Sequence, residues 1–520
     1  PLWSRGLGDV YKRQGYSNTT GDNNTFIGLQ AAYSNTTGIS NVVVGWQAMY
    51  YNTTGYQNAV FGLESLKLNT TGSFNTSIGY RALYSNTTAS YNTAVGYQAG
   101  YSNTTGTALV AIGYNSLRSA TTASNTTVVG WQAGYAITTG SDNTALGYES
   151  LRLNTTGGYN TAIGKESLYN NTTGSYITAI GTQAAYTFNN TSTSYGDVYV
   201  GYYAGRLTST GYNNAFVGGY AGANNTSGVG NSAFGNAALV TNTTGSYNVA
   251  VGYTALISNS AGYYNTAVGW QAGYSNTTGE GTFIGSRAGY SVTSGAYNTA
   301  VGAFSLLSNL TGEGNVAIGD GTLYNTTTSN NTAVGYQAGY SNTTGTQLSI
   351  FGYKAGYNNT GGYNTFVGYQ SGYGVTSGQT NVGIGRLALA GSGTASTGSD
   401  NVAVGNAALY NITSGSRNIA IGEETLKAVT TSSDNTAVGY LAGLYNTTGN
   451  YNTILGSSAL QNNTTASNNT AVGYQAGYTN TTDGNNTFIG YQSGYYHNNT
   501  TGATYDVYVG YQSGFSTTTG

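Results

Sequence analysis

From residue 15 onward, apolar positions return about every 17 residues, in two short clusters per period. The first cluster is seen in NTAVG at 92–96 and the second in YQAGY at 97–101. A polar stretch, SNTTG at 102–106, closes the unit. The Gly after an aliphatic residue or Phe serves as an anchor. Anchors run from Gly28 to Gly181 in steps of 17, then 20 to Gly201, then 17 to Gly269. Steps of 16 or 17 reach Gly385, a step of 20 reaches Gly405, steps of 17 reach Gly490, and a last 20 gives Gly510. That makes 29 anchors. Position −1 is always Val, Ile, Leu or Phe, position +3 is Ala, Ser or Thr, position +4 is mostly Leu or Gly, and position −4 is usually Asn.

A unit this short cannot hold a helical hairpin, whose repeats need about 33 to 47 residues. Two short apolar runs, parted by Gly and closed by turn residues, predict two short strands per unit. The fold class expected is all-β, a parallel β-solenoid (β-roll) of about 29 coils, mostly 17 residues each. Residues 15–520 form one continuous array in this reading, with 20-residue coils at 181–201, 385–405 and 490–510. One coil cannot stand alone. Ordering it costs on the order of 17–34 kcal/mol of backbone entropy, so neighbours on both sides must supply ladder hydrogen bonds and apolar contacts. Identical side chains then stack, with small residues at +3 keeping the opposite wall close.

Strand faces alternate, so positions −1 and −2 point opposite ways. The invariant −1 row is the expected core: Ile27, Val44, Phe61, Ile78, Val95, Ile112 and Val129. The −2 row then faces outward, and it too is apolar (Phe26, Val43, Val60, Ala94). A strand apolar on both faces is usually buried on both, which predicts packing against another chain. Ala as a neutral surface residue is the alternative.

Composition narrows the function classes. Gly supplies 81 residues and Tyr 51, charged residues are 6%, and there is one His, one Pro and no Cys. A 13% aromatic content speaks against disorder. No apolar run reaches the length of a membrane span. A net charge of −2, with no basic cluster after residue 13, argues against nucleic acid as a partner. No catalytic constellation emerges, so the chain reads as no enzyme, with no cofactor and no metal site. His497 reads as a solvated turn residue, and Glu64 with Lys67 and Glu149 with Arg152 as surface pairs of small value.

Residues 1–14 resemble nothing downstream, and Asp9 to Gln14 back-translate into a transposase end sequence of sequencing libraries. They read as a translated adapter; a genuine basic N-terminus is the alternative. The adapter reading implies environmental sequence, cut within a repeat at both ends.

The unit Asn92 to Ala99, NTAVGYQA, resembles the head repeats of trimeric autotransporter adhesins and is similar to repeats of phage and viral tail fibres. That resemblance implies left-handed β-rolls, three chains side by side. It covers residues 15–520 through about eight positions per unit; the SNTTG turn lengthens the coil beyond the usual unit.

Seven residues after the anchor, Asn-x-Ser/Thr forms a row: Asn35, Asn52, Asn69, Asn86, Asn103, Asn154, Asn171, Asn225, Asn242, Asn276, Asn309, Asn342, Asn446, Asn463 and Asn480, with Asn18 in phase. In a secreted protein this is the N-glycan acceptor, placed on an exposed turn. The alternative is plain turn chemistry, which Asp or Ser would serve as well. Thr-rich turns offer O-glycan sites, and Tyr rows offer faces for sugars. The expectation is a structural, non-enzymatic extracellular fibre with covalent glycans, at a cell or virion surface, self-associating as a lateral trimer or head to tail. An adhesin head or tail-fibre shaft binding a host surface is the alternative, and ice binding a remote one.

Overall fold

The computed structural model describes residues 13–190, 196–393, 395–497 and 505–516. The adapter reading falls, except for Arg13 and Gln14, outside them. So do parts of the turns that lengthen the three 20-residue coils.

Two compact units, 1–264 and 265–520, divide the chain. In the first, strands of three residues run from β1 (Thr25–Ile27), through β2 (Val42–Val44) and its successors, to β14 (Val249–Val251). Each coil contributes one strand, at positions −3 to −1. Pairing is parallel and in register: Thr25 faces Val42, Phe26 faces Val43 and Ile27 faces Val44. The second unit repeats the plan from β15 (Thr266–Val268) to β29 (Val507–Val509). No helix occurs among the described residues. Both units are all-β parallel solenoids.

The second apolar cluster is not a strand. Positions +2 and +4 take positive φ, as at Gln98 (51°) and Leu83 (46°). The chain therefore winds through successive turns, and its amides bond to the neighbouring coils: Gln47 N–H donates to Leu29 O at 3.0 Å and Ala32 N–H to Ala48 O at 2.9 Å. A left-handed non-glycine residue costs about 1–2 kcal/mol, which these inter-coil bonds offset. Each coil is thus one short strand and one ladder of turns.

The anchor glycines form the corner between these arms. Gly96 has φ 139°, and a Cβ there would sit 2.4 Å from the carbonyl oxygen of Gly113 in the next coil. Conformation and contact both exclude a side chain, which accounts for an anchor in every coil.

The strand faces lie opposite to the sequence expectation. Position −2 fills the interior: Val43, Val60, Ala94 and Phe216 are fully buried. Position −1 points out. Ile27 is 52% exposed, Phe61 40%, Ile78 39% and Ile112 37%, while Val44, Val95 and Val129 are half-buried. Alternation forces the swap once one row is inside. The inner row must meet position +3 across a narrow coil: Ser65 Oγ lies 2.7 Å from Ser77 Oγ.

Interior volume is shared between −2 and +4. Ala233 at −2 goes with Leu239 at +4, and Ala300 with Leu306, all fully buried. Where −2 is aromatic, +4 is Gly, except in the first coil, where Phe26 goes with Ala32. A Cβ on Gly222 would lie 2.4 Å from Phe216 Cε2, one on Gly289 2.1 Å from Phe283 Cδ1, and one on Gly494 2.3 Å from Phe488 Cδ1. Interiors are packed to crystal density, so a ring on one wall requires an empty place on the other.

Candidate functional site: the Asn, Thr and Tyr ladders

The sequon row lies inside the coil. Each of its fifteen members from Asn35 to Asn480 is fully buried; only Asn18, at the end of the described stack, is exposed. Asn103 shows the geometry. Its Nδ2 donates to Asn86 Oδ1 at 2.9 Å and to Gly106 O at 3.0 Å. Its Oδ1 accepts from Gly106 N–H at 3.1 Å. The −4 row converges on the same carbonyl, Asn92 Nδ2 donating to Gly106 O at 3.0 Å. Two amides from opposite ends of the coil thus clamp one carbonyl and close the ring.

This corrects the expectation of exposed glycan acceptors. A sugar on Nδ2 removes one of its two donors and enters a fully buried row. The same geometry shows why Asp does not replace Asn here. The side chain must donate, to the neighbouring amide oxygen and to the turn carbonyl, and a carboxylate only accepts. Of the two following Thr residues, the first is half-buried, as where Thr36 Oγ1 donates to Thr53 O at 2.9 Å. The second, at Thr37, Thr54 and Thr105, is exposed.

Tyr residues stack on one another. At +5, Tyr84 and Tyr101 lie 5.1 Å apart at 9°, and Tyr324, Tyr340, Tyr357 and Tyr373 continue at 4.8, 5.2 and 5.3 Å. At +1, Tyr97, Tyr114, Trp131 and Tyr148 form a second pile. Ring faces are covered by ring faces, so these rows present edges and hydroxyls, not the stacking faces expected for sugars. Arg118 and Arg152 take ring places in the +5 pile: Arg118 lies over Tyr101 and Tyr135, Arg152 over Tyr135 and Tyr169.

The charge pairs are more than surface decoration in one case. Glu64 is buried and receives Lys67 Nζ at 2.5 Å and Arg81 Nε at 2.6 Å. Burial pushes its carboxyl up, but the hydrogen bonds and charges of Lys67 and Arg81 together hold it below its ordinary value. Glu149 with Arg152 is a looser pair at 3.1 Å.

His497 is 2% exposed, not solvated. It occupies the +7 place of the Asn row and packs against Phe488 and Tyr508. Its Nε2 stands 3.6 Å from Asp483 Oδ2 and 3.7 Å from Asp506 Oδ2. Burial pushes the imidazole below its ordinary value, with Asp506 and Asp483 pulling the other way. Phe188 holds the same place in another long coil, beside Tyr199. Two of the three long coils end in Asp-Val-Tyr-Val-Gly, at 197–201 and 506–510. Both pair that ending with a buried ring at +7, Phe188 or His497.

Along the strands, the outward face carries two rows: Thr, Ser or an aliphatic at −3, and the row of aliphatics and Phe at −1. No Lys, Arg, Asp or Glu beyond residue 14 falls at −3, −2 or −1.

No protein-family model and no curated protein sequence matches the chain.

Proposed function

We propose that this chain is a structural, non-enzymatic element of an extracellular or surface fibre, whose role is to propagate a regular surface along stacked coils. The observation that supports it most is the uniform interior. The same positions, −4, −2, +3, +4 and +7, are filled coil after coil. Buried polar groups serve the stack: Asn35, Asn52, Asn69, Asn86 and Asn103 link amide to amide along the coils. A location outside the cell is supported by the resemblance of Asn92–Ala99 to surface-fibre repeats. N-glycans on the buried row form no part of the proposal, and any sugar is assigned to the exposed second Thr of the turn. Intact-mass measurement of the native protein, with and without glycosidase, tests the glycan assignment. Electron microscopy of native material tests the fibre: filaments thinner than a globular 53.5 kDa chain are expected, and compact particles would overturn the reading.

A further inference from the structure

The outward strand face has the make-up of an interface with a second copy of this chain. We propose that two copies pair face to face through positions −3 and −1 of their strands. This rests on the fibre reading and specifies its lateral contact.

Three observations carry it. The −1 row exposes large apolar side chains in both units: Ile27, Phe61, Ile78 and Ile112 in the first, Ile284, Ile318, Ile421 and Leu455 in the second. Scattered apolar residues on a surface are ordinary, but a contiguous apolar patch marks an interaction site. Charge is excluded from this face yet present on both flanks. Lys165, Asp320, Arg386 and Glu423 stand at +1, and Asp142, Asp400, Arg417 and Asp434 at −5. An uncharged centre within a charged rim is the anatomy of a protein interface.

Area and spacing agree. Fourteen strands at about 4.8 Å, each about 10 Å long, give the first unit alone a face of about 650 Å², hence about 1,300 Å² over two copies, within the range of stable interfaces. Two such faces carry rows of equal pitch, so side chains of one copy fit between those of the other, as in stacked sheets about 10 Å apart. A face that pairs with itself closes on two copies.

Sedimentation equilibrium of the full chain tests this. The wild type is expected at twice its 53.5 kDa mass. A Val95→Lys, Ile112→Lys, Val129→Lys variant places like charges across the contact, and pairing should weaken at least about 100-fold. A Thr88→Lys, Thr105→Lys, Thr122→Lys variant, altered at exposed places of the closing turn, should pair as wild type. A single-chain or three-chain mass for the wild type overturns the proposal, as does undiminished pairing of the strand-face variant. Hydroxyl-radical labelling of the wild type covers the case of a variant that does not fold. Labelling of Val95, Ile112 and Val129 should fall with rising concentration while that of the exposed Tyr51 does not; labelling independent of concentration overturns the pairing. Filaments seen without pairing would leave the fibre reading standing and remove only this contact.

Discussion

Phe216 and Gly222 offer a test of how the interior is shared. Gly222 Cα carries no side chain because three ring carbons of Phe216 would lie 2.4–2.7 Å from its Cβ. The next coil solves the same space the other way, with Ala233 and Leu239 both fully buried. Backbone conformation does not stand between the two solutions, since Gly222 has φ 55° and Leu239 φ 54°. Phe216→Ala alone leaves a cavity and should cost about 3–5 kcal/mol. Gly222→Leu alone overpacks, at about 1–3 kcal/mol or more, with about 1–2 kcal/mol for a left-handed non-glycine residue. Independent effects would sum to roughly 5–10 kcal/mol for the pair. Rebuilding the Ala–Leu arrangement should instead hold the double variant's loss to about 3 kcal/mol or less, a coupling of at least about 2 kcal/mol. Stacked repeats unfold locally, so native-state hydrogen exchange is the assay. It would follow the Gly205 and Gly222 amides, which donate to Ala221 O and Ala238 O. Losses that add within about 0.5 kcal/mol would refute the idea that the two positions share one space.

The other predictions concern the buried polar ladder and the corners. Asn103→Asp should destabilise its coil by at least about 3 kcal/mol, since a buried carboxylate would face two acceptors; urea melts of the variant beside Asn103→Ser check this. Gly96→Ala should abolish protection of the Gly96 amide, because its Cβ meets the next coil's backbone; hydrogen exchange reads it directly. His497 has its imidazole pushed below the ordinary range, so the unfolded chain binds the proton more readily. Stability around its coil should be full above about pH 6.5 and decline as the pH falls below it. His497→Asn, which restores the row, should remove that decline in a pH series of local exchange.

Much of the architecture was legible in the sequence because the anchor glycine is. Every strand ends at −1, so the anchor glycines, 16, 17 or 20 residues apart, place β1 to β29. What the alternation could not give was direction. With both −1 and −2 apolar, neither face declares itself, and the invariant row was the natural candidate for the core. The deciding signal was size compensation. Phe216, Phe283 and Phe488 are each followed by Gly at +4, and no ring at −2 is followed by Leu, a restriction only interior positions need obey. The sequon row carried its own contrary signal. Seven of the places where it is not Asn are apolar, Ala120, Ile137, Phe188, Val292, Val375, Ile412 and Val429, all buried. An exposed turn has no reason to exchange Asn for Ile and Val. Asn at a turn and Asn inside a coil share the same letters, and only the amide's double hydrogen bonding separates them.

A density map of the native fibre at side-chain resolution bears most directly on the stacking proposed here. One strand of three or four residues per coil at about 4.8 Å spacing is expected, with Asn35 to Asn103 inside the stack without sugar, and the Ile78–Val95–Ile112 row outside against a second copy. Sugar density rising from those Asn side chains, or that row enclosed within its own coil, would contradict it.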